Sequence, residues 1–245
     1  MADSCIAARL SHFLALTEEE ASALARLEEN PRDYRRGEMI GEQGAPADEL
    51  FIIRSGWAYS HISFDGERRQ ILRLEFPGDL MGTSSIAFGK ASDNLTAVTD
   101  CTLCPLDRPA LRQLFIDHCR LAALLFVISQ AERVSMDDRL ASIGRSSAKS
   151  RIAALLLDIL VRFRIMHGED LDRVEIPMTQ EEIGDATGLT PVHVNRMLQE
   201  LSRDELISRK KNEVHILDEV GLVELAEYIN RYADVDTSWL PPPEA

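Results

Sequence analysis

The sequence predicts an α+β protein whose two halves follow different periodicities. Three observations carry this. Over residues 34–107, short β-prone runs alternate with glycine-containing turns; over residues 121–144, apolar side chains recur at near-heptad spacing; and residues 176–204 hold the caps, turn and core of a helix-turn-helix. The expected division is residues 1–118, a long helix over 119–144, a second domain over 145–232 and an acidic, loose tail over 233–245.

Residues 5–27 read as helix in two pieces, with Thr17 and Glu20 at capping-box spacing where the second begins. The β region follows, with runs such as Leu50-Phe51-Ile52-Ile53 and Gln70-Ile71-Leu72-Arg73-Leu74. Phe64-Asp65-Gly66-Glu67 is an expected hairpin turn, because Asp-Gly tolerates the positive φ such turns need. Short antiparallel strands at this spacing close into a sandwich or barrel. A short helix is expected over residues 109–115. In the long helix after it, Leu121, Leu125, Ile128, Met136, Leu140 and Ile143 form a seam for a second copy or for the chain's own sheet. Residues 144–150 are small and polar, as a hinge would be, and 151–166 and 218–232 are expected helices.

The stretch IPMTQEEIGDATGLTPVHVNRMLQELSRD organises the second half. Thr179 and Glu182 have capping-box spacing at the first helix. Gly184 is the small residue at the helix contact, and Gly188 suits a turn with positive φ. Thr190 caps the second helix, and Pro191 at its first position loses no needed hydrogen bond. Val194, Met197, Leu198 and Leu201 face inward at helical spacing. Val192, His193, Asn195, Arg196 and Gln199 then face outward, a set able to read base edges in the major groove, where Arg suits guanine and Asn or Gln suits adenine. Thr179 and Gln180 join them at the first helix's start. A helical hairpin with a merely solvated outer face is the plain alternative. Residues 206–217, LISRKKNEVHIL, tip the balance toward DNA: two β-prone runs flank Arg209, Lys210 and Lys211, forming a wing whose basic tip meets phosphate.

The formal net charge of −14 opposes DNA as a sum but not as a distribution. Its acidic excess lies mostly in the first half and the last thirty residues, while Arg196, Arg203, Arg209, Lys210 and Lys211 gather at the expected binding face. No run of about 18 apolar residues spans a membrane, and the N-terminus lacks a basic start and long apolar core, so a cytoplasmic location without membrane attachment is expected. No metal site is expected, since Cys101-Thr-Leu-Cys104 has no second pair to complete one. Cys101 and Cys104 are read first as small apolar residues at a strand end, with a redox pair as the second reading.

Residues 35–82, RRGEMIGEQGAPADELFIIRSGWAYSHISFDGERRQILRLEFPGDLMG, resemble the β-roll of the cyclic-nucleotide-binding domain. Followed by a long helix and a winged helix, the chain resembles the CRP/FNR family of bacterial transcription regulators from about Phe13 to about Ile216. TPVHVNR is similar to the recognition helices of the FixK-like and neighbouring branches, several of which act without a small ligand. The resemblance implies a homodimer on palindromic double-stranded DNA, an activator contacting RNA polymerase, and Arg196 as the guanine reader. Where many relatives place a Glu, this chain has Val192, which suits a thymine methyl and implies a different half-site.

In cyclic-AMP-binding relatives, Pro-Gly-Asp is followed by a Gly-Glu pair that holds the ribose and by an Arg that neutralises the phosphate. Here Pro77-Gly78-Asp79 leads to Gly82, Thr83, Ser84 and Ser85, with Thr83 in place of the Glu. The stretch from Lys90 to Asn94 has no Arg, and Asp93 repels phosphate. Cyclic AMP is therefore not expected; no cofactor is expected either, and the effector stays unassigned. The iron–sulfur site of the oxygen-sensing branch lacks its N-terminal cysteines, since Cys5 stands there alone. No nucleophile–base pair marks an enzyme. The reading from another class is a small-molecule or redox sensor whose winged helix binds protein.

Overall fold

The computed structural model describes residues 4–64, 68–168 and 171–243. They fall into two compact units, Met1–Ala131 with Asp234–Ala245, and Glu132–Ala233.

In the first unit, α1 (Cys5–Ser11) starts at Ser4, whose hydroxyl accepts from the Ala7 N–H. The buried Glu28 carboxylate accepts from the Ser4 hydroxyl at 2.7 Å and the Ile6 N–H at 3.0 Å, satisfying donors that a helix start leaves open. The Thr17–Glu20 capping box opens α2 (Glu18–Arg26) as expected. Then come β1 (Arg32–Tyr34), β2 (Met39–Gly41), β3 (Glu49–Ser55), β4 (Ala58–Phe64), β5 (Arg68–Glu75), β6 (Leu80–Met81), α3 (Ser85–Phe88), β7 (Asn94–Ala97), β8 (Cys101–Asp107) and α4 (Arg108–Asp117).

The strands form two antiparallel four-stranded sheets, ordered β1-β8-β3-β6 and β2-β7-β4-β5. Side chains alternate between faces along β3 and β8, so each strand feeds two cores. Phe51, Ile53, Cys101 and Leu103 pack with Ala58, Met81, Leu95 and Ala97. Leu50, Ile52, Cys104 and Leu106 pack against Ile6, Leu10 and Leu24 of the helices. Two buried ion pairs fix the helices, Arg9–Asp79 at 3.0 Å and Arg120–Glu20 at 2.7 Å. The Asp-Gly turn lies outside the described residues, although the flanking pair Phe64 and Arg68 is in register.

The long helix α5 (Cys119–Arg145) crosses from one unit's residues to the other's. Its expected seam divides. Leu121 and Ile128 are buried in the first unit's own core, Leu125 packs against that core, and Met136 and Leu140 stay exposed at 44% and 71%. Heptad spacing specifies an apolar stripe but not which surface covers it.

In the second unit, Ser147 caps α6 (Ala148–His167) by accepting from the Ser150 N–H, so the expected hinge shrinks to two residues between helices. β9 (Arg173–Glu175), α7 (Gln180–Thr187), α8 (Pro191–Arg203), β10 (Ile207–Lys210), β11 (Glu213–Ile216) and α9 (Glu219–Ala226) follow. The sheet order is β10-β11-β9, giving the wing a third strand through the pair Val214–Val174. α9 is shorter than the expected 218–232, because Glu227 takes φ +48 and ends it. Arg164 of α6 holds its first turn through two hydrogen bonds to Glu219, at 2.7 and 2.8 Å.

The tail corrects an expectation. Residues 234–243 belong to the first unit: Thr237 donates to the Phe13 carbonyl at 3.3 Å, and Leu240 joins the core beside Leu10 and Leu24. Burial of Leu240 and the Thr237 hydrogen bond together tie an acidic, proline-rich segment to this unit.

Candidate nucleic-acid interface

The local chemistry of α7 and α8 is capping chemistry. Thr179 Oγ1 accepts from the Glu182 N–H at 3.1 Å, and Glu182 Oε2 accepts from the Thr179 N–H at 2.7 Å. Gly188 ends α7 with φ +68. Thr190 Oγ1 accepts from the His193 N–H at 3.4 Å, with Pro191 at the first helical position. At Gly184 a Cβ would stand 2.4 Å from the Leu189 carbonyl oxygen, so the turn crosses α7 where only glycine fits.

These constraints fix the face of α8. Val194, Met197, Leu198 and Leu201 are buried, while Pro191, Val192, His193, Arg196 and Gln199 are exposed and Asn195 is half-buried. Val192, at 78% exposure, presents its two methyl groups on this outer face. Gln180 Nε2 donates to Asn195 Oδ1 at 3.4 Å, joining the first turn of α7 to the outer face of α8. Among the described residues, Arg196 has Glu200, at 4.0 Å one turn on, as its ionic neighbour, and its side chain is 60% exposed. On the wing, Lys211 takes φ +56 at the tip, and Arg209, Lys210 and Lys211 are all exposed. Exposed donors on a rigid helix beside a basic hairpin are what groove and phosphate contacts require.

The scaffold beneath was not legible in the sequence. Lys149 of α6 pairs with Asp204 just beyond α8. Arg151 of α6 donates to the Thr187 carbonyl at 2.9 Å, and Arg139 of α5 donates to the Ala186 carbonyl. Sequence spacing gives no sign of these, since the partners lie 36 to 55 residues apart.

Two family models match the chain: a cyclic nucleotide-binding domain over residues 31–118 and a Crp-like helix-turn-helix domain over residues 150–225. The chain belongs to the CRP/FNR family of transcription regulators. It is similar to the transcriptional activator protein Anr of Pseudomonas protegens, 27% identical over 91% of each chain. The CRP-like cAMP-activated global transcriptional regulator of Mycobacterium tuberculosis is 29% identical over 84% of this chain and 93% of its own. Among solved structures, FixK2 from Bradyrhizobium japonicum has the same fold, with a TM-score of 0.73 at 23% identity, covering 82% of this chain and 98% of FixK2. CRP/FNR proteins are DNA-binding regulators and not enzymes.

Within this CRP/FNR frame, the residues expected around an effector are largely spent on structure. Asn94 Oδ1 accepts from the Gln43 N–H at 3.0 Å, and Asn94 Nδ2 donates to the His61 carbonyl at 3.4 Å. Ser85 donates to the Gly82 carbonyl at 2.7 Å, and its own carbonyl accepts from Arg108 at 2.8 Å. Ser84 and Ser92 both donate to Asp93, at 3.0 and 2.5 Å. Thr83 and Lys90 are exposed. Asp93 thus holds two hydroxyls and presents a negative charge that repels a phosphate.

Cys101 and Cys104 are not placed as a redox pair. Three residues apart on β8, they face opposite cores, about 10 Å apart along the strand where a disulfide needs Cα atoms within about 7 Å. Cys101 donates to the Trp57 carbonyl at 2.9 Å and Cys104 to the Glu28 carbonyl at 3.5 Å. Burial pushes both thiols up, which keeps them protonated and unreactive. The C-x-x-C spacing is a strand coincidence. Among the described residues no group of His, Cys, Asp and Glu could hold a metal ion, and no single helix is long and apolar enough to cross a membrane.

Proposed function

We propose that this chain is a homodimeric activator that reads a palindromic promoter site through α8, independently of cyclic AMP. The observation that supports it most is the outer face of α8. Val192, His193, Asn195, Arg196 and Gln199 stand over a fully packed inner face, with Lys210 and Lys211 beside them on the wing. Arg196 reads a guanine through two parallel hydrogen bonds, Asn195 or Gln199 reads an adenine, and Val192 covers a thymine methyl. Thr179, Gln180, Thr190 and the wing lysines hold the phosphate backbone. The dimer forms through α5, by the exposed Met136 and Leu140 and the half-buried Ile143, with Phe126, 58% exposed, as a further contact. A twofold axis then places two α8 helices about one turn of DNA apart. Activation proceeds by contact with RNA polymerase in the cytoplasm. The hydroxyl-ringed Asp93 supports the absence of cyclic AMP from this control.

The test is selection from a randomised duplex pool by the purified full-length protein with no added ligand, repeated with Arg196→Ala. The expected result is an enriched palindrome that Arg196→Ala binds about 1–3 kcal/mol more weakly, with relaxed preference at one base pair. Enrichment that survives Arg196→Ala unchanged would refute the assignment of that residue. No enrichment at all would favour a winged helix that binds protein.

A further inference from the structure

Two consecutive residues of α5 grip the DNA-binding unit at different points. The Asp138 carboxylate accepts from Arg231, beyond α9, at 2.6 and 3.0 Å. The Arg139 guanidinium donates to the Ala186 carbonyl in the last turn of α7. From α6, Arg151 donates to the Thr187 carbonyl at 2.9 Å and reaches the Gly188 carbonyl at 3.5 Å. The three successive carbonyls that lead into the turn therefore all face guanidinium groups. A helix end leaves such carbonyls without intrahelical partners, and the macrodipole favours a cation there. Arg139 carries its charge into a crowded place: burial lowers its pKa, and Asp158 of α6 opposes that shift.

The same stretch of α5 presents Met136 and Leu140 to solvent, and Leu140 is the residue after Arg139. A helix turns about 100° per residue, so one turn offers an apolar contact outward and a clamp inward. We propose that Arg139 is a positioning residue for DNA recognition. It locks the turn before α8 to α5 and so sets the distance between the two recognition helices of the dimer. This rests on the DNA-binding reading above. Arg139 touches no DNA in this scheme; it acts through the α7 terminus.

The experiment uses the full-length protein, the palindrome it selects, and the same half-sites moved together or apart by one base pair. The unmodified protein prefers the native spacing. Arg139→Met is expected to lose about tenfold of that preference, the equivalent of ~1.4 kcal/mol. The slope of affinity against salt stays unchanged, because no phosphate contact is removed. Arg139→Lys, which keeps the charge but not the fork, recovers part of the preference. A variant that is only less folded binds every spacing more weakly by the same factor and leaves the ratio as it was. That unchanged ratio overturns the proposal, and if Arg139→Met does not fold, Arg139→Lys decides by the same ratio. Arg196→Ala separates the two levels. If it weakens binding while spacing preference survives in the Arg139 variants, the positioning role alone falls; if no palindrome is selected, the DNA reading falls and the positioning role with it.

Discussion

Gly184→Ala isolates the geometry of the turn. Gly184 lies inside α7, where replacing glycine by alanine ordinarily stabilises by ~1 kcal/mol through the backbone entropy of the unfolded chain. Here the added Cβ would stand 2.4 Å from the Leu189 carbonyl oxygen, closer than real Cβ atoms come to anything. The neighbour is backbone, so no side-chain rotation relieves the clash. The Gly184 carbonyl also accepts from the Leu189 N–H at 3.0 Å, so moving Leu189 disturbs the turn's own hydrogen bond. Overpacking of this kind costs about 1–3 kcal/mol and exceeds the helix gain where nothing can yield. The expected outcome is a net loss of ~1–2 kcal/mol, confined to the DNA-binding unit. Gly144→Ala serves as the control: it lies in α5 with nothing within 4 Å of the added Cβ, so only the helix gain of ~0.5–1 kcal/mol remains. Amide hydrogen exchange in α7 and α8, read together with operator affinity, reports both. Equal or greater protection in Gly184→Ala than in the unmodified protein would refute the reasoning.

Three further outcomes follow from the same structure. Lys210→Ala and Lys211→Ala should weaken binding to all duplexes alike and each lower the salt slope by about 1, as measured by titration at several salt concentrations. Hydrogen bonds from Arg164 hold the Glu219 carboxyl below its ordinary value of 4.5, so its stabilising effect is present above that pH and is lost as pH falls through the lower folded value. Glu219→Gln should therefore be less stable than the unmodified protein at neutral pH, and the difference should shrink in acid unfolding below about pH 4.5. Adding cyclic AMP should leave operator affinity unchanged, whereas strengthened binding would show that the charge of Asp93 does not keep a phosphate away.

What the sequence made legible was local. The capping boxes at Thr17 and Thr179, Pro191 at the start of a helix and Gly188 at the end of another act within four residues of themselves, so their spacing carries their geometry. The candidate recognition face followed, because 3.6-residue periodicity separates Val194, Met197, Leu198 and Leu201 from their neighbours. Non-local features were not legible. β9 is only Arg-Val-Glu and becomes a strand by pairing with β11. Heptad spacing could not assign Leu121 and Ile128 to the chain's own core, and C-x-x-C could not show that a strand turns its two thiols to opposite faces. Arg139 is, in sequence, one charge between apolar positions, and its carbonyl partner lies 47 residues on.

The return of the C-terminal segment also sets an order of manufacture. A chain made from its N-terminus has the first unit's strands and helices in hand long before residues 234–243 leave the ribosome. Leu240 joins a core that also holds Leu10 and Leu24, so this unit begins before residues 132–233 are made and gains a core residue only after them. A chain ending before Leu240 would hold every residue of the DNA-binding unit, 132–233, and lack one residue of the other unit's core. The apolar surface that Leu240 covers would then face water, the kind of opening on which chaperones and proteases act.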